Sequence, residues 1–178
     1  MSTILDLIER QGFDCAGTCA ASELRVHEEV RENCAADKCH VYNKSWACPP
    51  ACGDIYDYEK QMHSYEHCTV VQTVGHLEDD FDAETMMEAS ETQQERVHAL
   101  ADAIDEAGLS GEVMLLSAGT CQLCKTCTYP DEPCRFPDKR LVSMEAAGLV
   151  VSEVCTLAGS PYNHGPQTMA YSGCVLYD

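Results

Sequence analysis

Three cysteines at successive two-residue gaps, Cys121, Cys124 and Cys127, are followed after six more residues by Cys134, with Pro133 before it and Pro137 close behind. A run of this kind wraps thiolates around a compact metal-sulfur core. Structural zinc sites set two cysteine pairs well apart in sequence, whereas thiolates this close together face a core wider than a single ion. The spacing therefore points to a 4Fe-4S cluster held by Cys121, Cys124, Cys127 and Cys134, with zinc and unmetallated thiols as the alternatives. In bacterial ferredoxin runs the fourth cysteine follows after three residues and serves another cluster. Here the longer gap lets Cys134 close the same site, and the flanking prolines stiffen the loop and shield it from water.

A second set lies upstream. Cys34, Cys39, Cys48 and Cys52 fall within nineteen residues and can supply a full ligand set for another centre. Pro49 and Pro50 hold the backbone after Cys48 extended and exposed, which suits ligation. The looser spacing leaves a structural or free-thiol role open. His40 reads as a surface residue or a hydrogen-bond donor to a ligand, with ligation as the alternative. Trp46, the only tryptophan of the chain, is expected to pack over the loop and exclude solvent.

Composition bounds what such sites can serve. A chain of 178 residues with 45% hydrophobic content suits one domain, residues 1–178, with a sizeable core. There is no run of about 18 apolar residues and no basic-then-apolar export signal at the start, which points to the cytoplasm. Thirty acidic against 11 basic residues give a formal charge of -19. Such a charge repels phosphate backbones and anionic lipids, and so argues against nucleic acid and membrane as partners. It suits a salt-adapted surface, or an electron carrier that docks on a basic redox partner. An odd count of 13 cysteines without an export signal argues against a disulfide framework. Reduced thiols in this number are prone to oxidation, which points to an anaerobic source.

The elements that must position these loops read as follows. Ser2 to Gln11 is a short helix with Ile4, Leu5 and Ile8 on one side and Gly12 at its end. Leu24 to Val30 alternates apolar and polar residues as a strand does. Ile55 to Tyr65 is a helix, and Cys68 to Gly75 is a strand by its β-branched content. Asp82 caps the longest helix, whose stripe Val97, Leu100, Ala101 and Ile104 faces a core until Gly108 stops it. Glu112 to Ala118 is a buried strand that delivers Gly119 and Thr120 into the downstream cysteine loop. Ser143 to Ala147 is a helical turn broken by Gly148, Leu149 to Cys155 a third strand, and Tyr171 to Leu176 the last. The sum is a single α+β domain, a small mixed sheet packed with helices, with two cysteine-rich metal-binding loops at one edge.

The two cysteine stretches carry a resemblance. Cys34 to Gly53, with four residues between Cys34 and Cys39 and then Trp46-Ala47-Cys48-Pro49-Pro50-Ala51-Cys52-Gly53, is one part. Cys121 to Gly148, with Pro133-Cys134-Arg135-Phe136-Pro137 and Ser143-Met144-Glu145-Ala146-Ala147-Gly148, is the other. Together they resemble the domain-of-unknown-function family 2284, described as predicted metal-binding, cysteine-rich proteins frequent in anaerobic bacteria and archaea. The resemblance runs from about Arg25 onward. It implies that Cys34, Cys39, Cys48, Cys121, Cys124, Cys127 and Cys134 occupy the family's cysteine positions, with Cys52, Cys155 and Cys174 those of a subgroup. Cys15 and Cys19 stand outside the pattern, so the ligands are not a simple tally of eight. Gly119 and Thr120 stand where small residues, commonly including proline, are expected.

The family description supplies no reaction, so function rests on the sites. Cubane clusters with four thiolates shuttle single electrons, and an acidic protein makes adding one more costly. Low-potential electron transfer through one or two 4Fe-4S clusters is the leading expectation. The alternatives are an iron-sulfur enzyme with an open iron, if only Cys34, Cys39 and Cys48 ligate, and a zinc-binding structural module. A cysteine nucleophile served by His63, His67 or His164 has no pairing in the sequence to support it. Cys68 and Cys155 read as small buried hydrophobes. Arg135 and Lys139 offset cluster charge or lie on the surface, and Glu145 caps its turn with Ser143 or contributes an outer carboxylate. No phosphate loop, dinucleotide fingerprint or paired-carboxylate motif appears.

Overall fold

The β-branched run from Cys68 to Gly75 does form a strand, and it is the second of five. The computed structural model describes residues 3–178. In chain order its elements are α1 (Ile4–Arg10), β1 (Cys15–Ala20), α2 (Glu28–Ala35), α3 (Ile55–Met62), β2 (His67–His76), α4 (Ala83–Glu106), β3 (Val113–Ser117), β4 (Val142–Ser143), α5 (Val151–Leu157) and β5 (Thr168–Tyr177). They form a single small α+β domain. The sheet order is β1-β2-β5-β3-β4. β1 with β2, β2 with β5 and β5 with β3 are antiparallel, while β3 and β4 are parallel. A parallel pair needs a long crossover rather than a tight hairpin. Here the crossover is residues 118–141, the downstream cysteine loop.

Alternation along the strands gives each sheet face its own core. On one face Val71, Val175 and Tyr177 meet Leu7 and Ile8 of α1 and Leu100 and Ile104 of α4. On the other, Cys68, Val70, Cys174, Leu176 and Leu116 meet Met62 of α3 and Val154 and Cys155 of α5. Each large apolar side chain buried this way stabilises the fold by about 1.5–3 kcal/mol. Asp82 caps α4 as its position suggests, accepting the Thr85 amide at 3.1 Å. Ser2, where the expected first helix begins, lies outside the described residues. No helix among the described residues is long and apolar enough to cross a membrane.

Two expected strands are corrected. Leu24 to Val30 is not a strand: Val26 makes a lone bridge with Leu149, and the chain then turns into α2. The acidic pair Glu28 and Glu29 sits in the first turn of α2, where the positive end of the helix dipole favours it. Leu149 to Cys155 is not a strand either, because Val151 opens α5. Val154, Cys155 and Ala158 are buried and Val151 is partly so, a helical spacing of three and four that outweighs the β-branched composition. β1 went unexpected. Gly17 sits at its centre because a Cβ there would collide with the carbonyl of Ala158 at the end of α5.

Candidate metal centre

The downstream loop leaves β3 under restraint. Gln94 of α4 is buried, and its Nε2 donates to the carbonyls of Ala118 at 3.2 Å and Thr120 at 2.9 Å. Gly119 between them has φ +66, in the left-handed region that glycine tolerates best. Past this point the loop braces itself. Arg135 Nη1 donates to the Thr126 carbonyl at 3.0 Å, and Thr128 Oγ1 to the Pro133 carbonyl at 2.9 Å. The result is a cavity of about 190 Å³ whose walls include Cys121, Cys124, Cys127, Cys134 and Arg140.

The upstream loop closes the same cavity from outside. Trp46 Nε1 donates to the Glu132 carbonyl at 3.0 Å, and its ring meets Tyr129 edge-on at 4.9 Å. Tyr129 in turn donates its hydroxyl to Asn43 Oδ1 at 2.6 Å. Trp46 thus covers the other cysteine loop rather than its own.

Electrostatics distinguish the thiols. Burial raises the pKa of Cys127, but the amides of Tyr129 and Trp46, the Ser45 side chain and the Thr128 amide outweigh it, and the net shift is downward. Burial pushes Cys121 up, and the neighbouring Cys134, Cys124 and Cys127 add to the rise despite the Leu123 amide. Arg140, on the wall, has a buried Nε with no hydrogen-bond partner.

The upstream set is built from the end of α2 and the loop behind it. Cys34 lies in the last turn of α2, after which Asp37, His40 and Asn43 all take left-handed φ values of 50 to 60°. Asp37 steadies that path by accepting the Tyr42 amide at 2.9 Å. Cys34, Cys39 and Cys48 line a cleft of about 500 Å³ together with Tyr42, Glu145 and Tyr162. Cys52 is not on its wall. It is buried at 6% exposure with Sγ 3.9 Å from the Ala146 carbonyl. Burial, then the neighbouring Cys52, Cys39 and Cys34, push the Cys48 thiol up to about 11, with Ser45 opposing. Cys34 and Cys52 are raised by burial against the opposing charge of Arg31. Arg31 Nη2 donates to the Gly53 carbonyl at 2.8 Å, while its buried Nε has no partner. Cleft and cavity adjoin, sharing Val41 and Thr120 as walls.

The profile of a protein family described as predicted metal-binding protein (DUF2284) matches residues 18–177. The chain belongs to that family. No curated protein and no solved structure matches it. The family description fits a donor set of soft thiolates, which suits zinc and iron-sulfur clusters over oxygen-seeking ions. It fits as well the two unpartnered arginine donors beside the thiols, since anionic metal-thiolate groups accept such hydrogen bonds. Among the described residues, no three histidine, cysteine, aspartate or glutamate side chains converge tightly enough to hold a single metal ion. All four downstream cysteines are found on the wall of one cavity.

Other expectations resolve as follows. His40 is exposed and lines neither cavity, and its carbonyl accepts Lys44 Nζ at 2.9 Å. Lys139 pairs with Asp102 at 3.1 Å across the surface. Glu145 does not cap its turn: Ser143 Oγ accepts the Ala146 amide at 3.0 Å, and Glu145 lines the cleft. Cys68, Cys155 and Cys174 are wholly buried beneath the sheet, beside Cys19. Among the described residues no histidine hydrogen-bonds a thiol; His164 reaches Gln72 Oε1 at 3.2 Å, and it is Gln72 Nε2 that lies 3.6 Å from Cys155 Sγ. Sequence reasoning missed Gln94, Arg31, Arg140 and Ser45. Arg140 carried a weak signal, as a cation close after the last cysteine of an acidic chain, and Gln94 one as an amide on the apolar side of a helix.

Proposed function

We propose that this protein is an iron-sulfur electron carrier of low potential, with one 4Fe-4S centre at Cys121, Cys124, Cys127 and Cys134 and a second in the set Cys34, Cys39, Cys48 and Cys52. The observation that carries the reading is the downstream cavity, whose walls bring together Cys121, Cys124, Cys127, Cys134 and an unpartnered Arg140 donor. Three thiols at successive two-residue gaps with a fourth on the same wall suit a polynuclear core, whereas structural zinc takes two cysteine pairs set apart in sequence.

When bound, such clusters take up and release one electron at a time. The chain's own residues set the conditions. Amides aimed at Cys127 stabilise negative charge on its sulfur, and Trp46 and Tyr129 keep water from the loop. Arg140 and Arg31 offer positive charge, but the formal charge of -19 makes each added electron costly, which lowers the potential. The shared walls of cleft and cavity keep the path between the two centres short. The acidic surface suits a redox partner with a basic docking face, and neither nucleic acid nor membrane. Thirteen free thiols suit the cytoplasm of an anaerobe.

The test is anaerobic purification with iron, labile sulfide and zinc quantified, followed by spin resonance of the reduced protein. About eight irons per chain and two interacting signals are expected for two 4Fe-4S centres. A colourless protein loaded with zinc would overturn the reading.

A further inference from the structure

Charge is unevenly spread over this molecule. The chain holds 30 acidic and 11 basic residues, yet four of the basic ones, Lys44, Lys125, Arg135 and Arg140, line the downstream cavity and no acidic residue does. The upstream cleft, by contrast, carries one charge of each sign, Lys38 and Glu145. Carboxylates are near at hand, since Asp131, Glu132 and Asp138 belong to the same downstream loop, but they stay off the cavity wall. Lys44 has a partner, Asp37 at 3.6 Å. Among the described residues Lys125, Arg135 and Arg140 form no ion pair, although the adjacent Lys139 reaches Asp102 at 3.1 Å. Like charges gathered without counter-ions repel, and a cleft lined by one sign focuses the field at its mouth.

The three unpaired cations divide by depth. Arg140 has its Nε buried and unpartnered, which suits the thiols inside. Lys125 and Arg135 are exposed, and the Nη1 bond to the Thr126 carbonyl at 3.0 Å holds the Arg135 guanidinium in place. Beside them Phe136 is 43% exposed on the same wall. Cations set around an exposed aromatic ring make a contact face of the kind interfaces use, with charge deciding which partner is accepted.

We infer that the mouth of the downstream cavity is a docking face for a cluster of carboxylates on the redox partner. This rests on the electron-carrier reading above and sharpens it: the partner's face is basic where it meets the acidic surface of this chain, and acidic where it covers the cavity. Net charge then steers the approach, and the local charge of the mouth fixes the register. Lys125 and Arg135 pair with the partner's carboxylates, and an apolar side chain between them packs on Phe136.

The experiment uses Trp46, the only tryptophan of the chain and part of the cavity wall, as its reporter. Fluorescence of the purified protein is quenched with iodide, caesium ion and neutral acrylamide at equal ionic strength. Relative to acrylamide, iodide is expected to quench severalfold better than caesium, against the sign of the net charge. Lys125→Glu is expected to reverse that order and Lys125→Arg to keep it. Arg10→Glu, which shifts the net charge equally from the last turn of α1, is expected to leave it unchanged. Circular dichroism of each variant checks that it folds. Caesium ahead of iodide in the wild type, or equal effects of the two glutamate variants, would overturn a positive mouth. The second arm adds the peptide Glu-Glu-Leu-Glu-Glu, blocked at both ends, at low ionic strength. It is expected to shift the Trp46 emission, added salt to abolish the shift, and Lys125→Glu to weaken it severalfold. The peptide Lys-Lys-Leu-Lys-Lys is expected to leave the emission unchanged. No shift with the acidic peptide, or an equal one with the basic peptide, rejects carboxylate docking while leaving the electron-carrier reading intact. Wild-type protein without iron and sulfide would instead remove that reading, and with it the redox character of the partner.

Discussion

The two cysteine regions use the same side chain in opposite settings. The downstream loop is tethered by Gln94 at its start, laced by Arg135 and Thr128 in its middle and roofed by Trp46. Its four cysteines line a cavity of about 190 Å³. The upstream loop runs through three left-handed residues past an open cleft, with Cys48 and Cys52 both buried. Ligand type alone therefore does not define a site. The bracing of each loop and the volume beside its thiols differ as well.

Substitutions can pull the two regions apart. The largest effect is expected from Cys127→Ser, which removes a downstream thiolate and should cost about half the iron with the upstream signal retained; metal analysis with spin resonance reads both. Gly148→Ala comes next. Gly148 has φ +92, and a Cβ there would lie 2.8 Å from Ile55 Cγ2, so the turn beneath the cleft must shift. The cost should be about 1–3 kcal/mol in denaturant unfolding, with upstream metal lost before downstream metal. Gln94→Leu strands the Ala118 and Thr120 carbonyls and should cost about 1–3 kcal/mol, this time with the downstream centre lost first. Loss in the reverse order in either variant would break the comparison.

Trp46→Phe keeps a ring but loses the bond to Glu132, a change of about 0.5–1.5 kcal/mol. It should speed bleaching of the downstream centre in air, measured as decay of visible absorbance. The smallest effect lies outside both regions. Asp14 has its pKa raised by burial and lowered more strongly by the Val74 amide and Arg96, for a net fall below the usual carboxylate range. A depressed folded pKa contributes stability above the unfolded value, lost as pH falls through the folded one. Asp14→Asn should therefore flatten the acid limb of apo-protein stability below about pH 4, and leave the order of metal loss unchanged.

Much of this frame was legible before folding. β2 and β3 announced themselves by β-branched and apolar runs, α4 by its cap at Asp82 and its stripe, and the turn at Ser143–Gly148 by its glycine. α2 and α5 were not, since a few alternating or β-branched residues read equally as strand until packing decides. The cysteine spacing gave both candidate loops and the family. It did not give the burial of Cys48 and Cys52 beside an exposed Cys39, because burial depends on packing partners such as Ala146 and Tyr58, distant in sequence or across a turn. Nor did it give Arg140 or Gln94, whose roles exist only once α4 lies along β3.

β4 is only Val142 and Ser143, and it joins β3 at the far side of the 118–141 excursion. Whatever unfastens that excursion also bares the outer rim of β3, a row of unpaired amides and carbonyls able to recruit a strand from another molecule. Loosening of the loop would then be felt as self-association, and the cysteine-rich loop doubles as the guard of an edge.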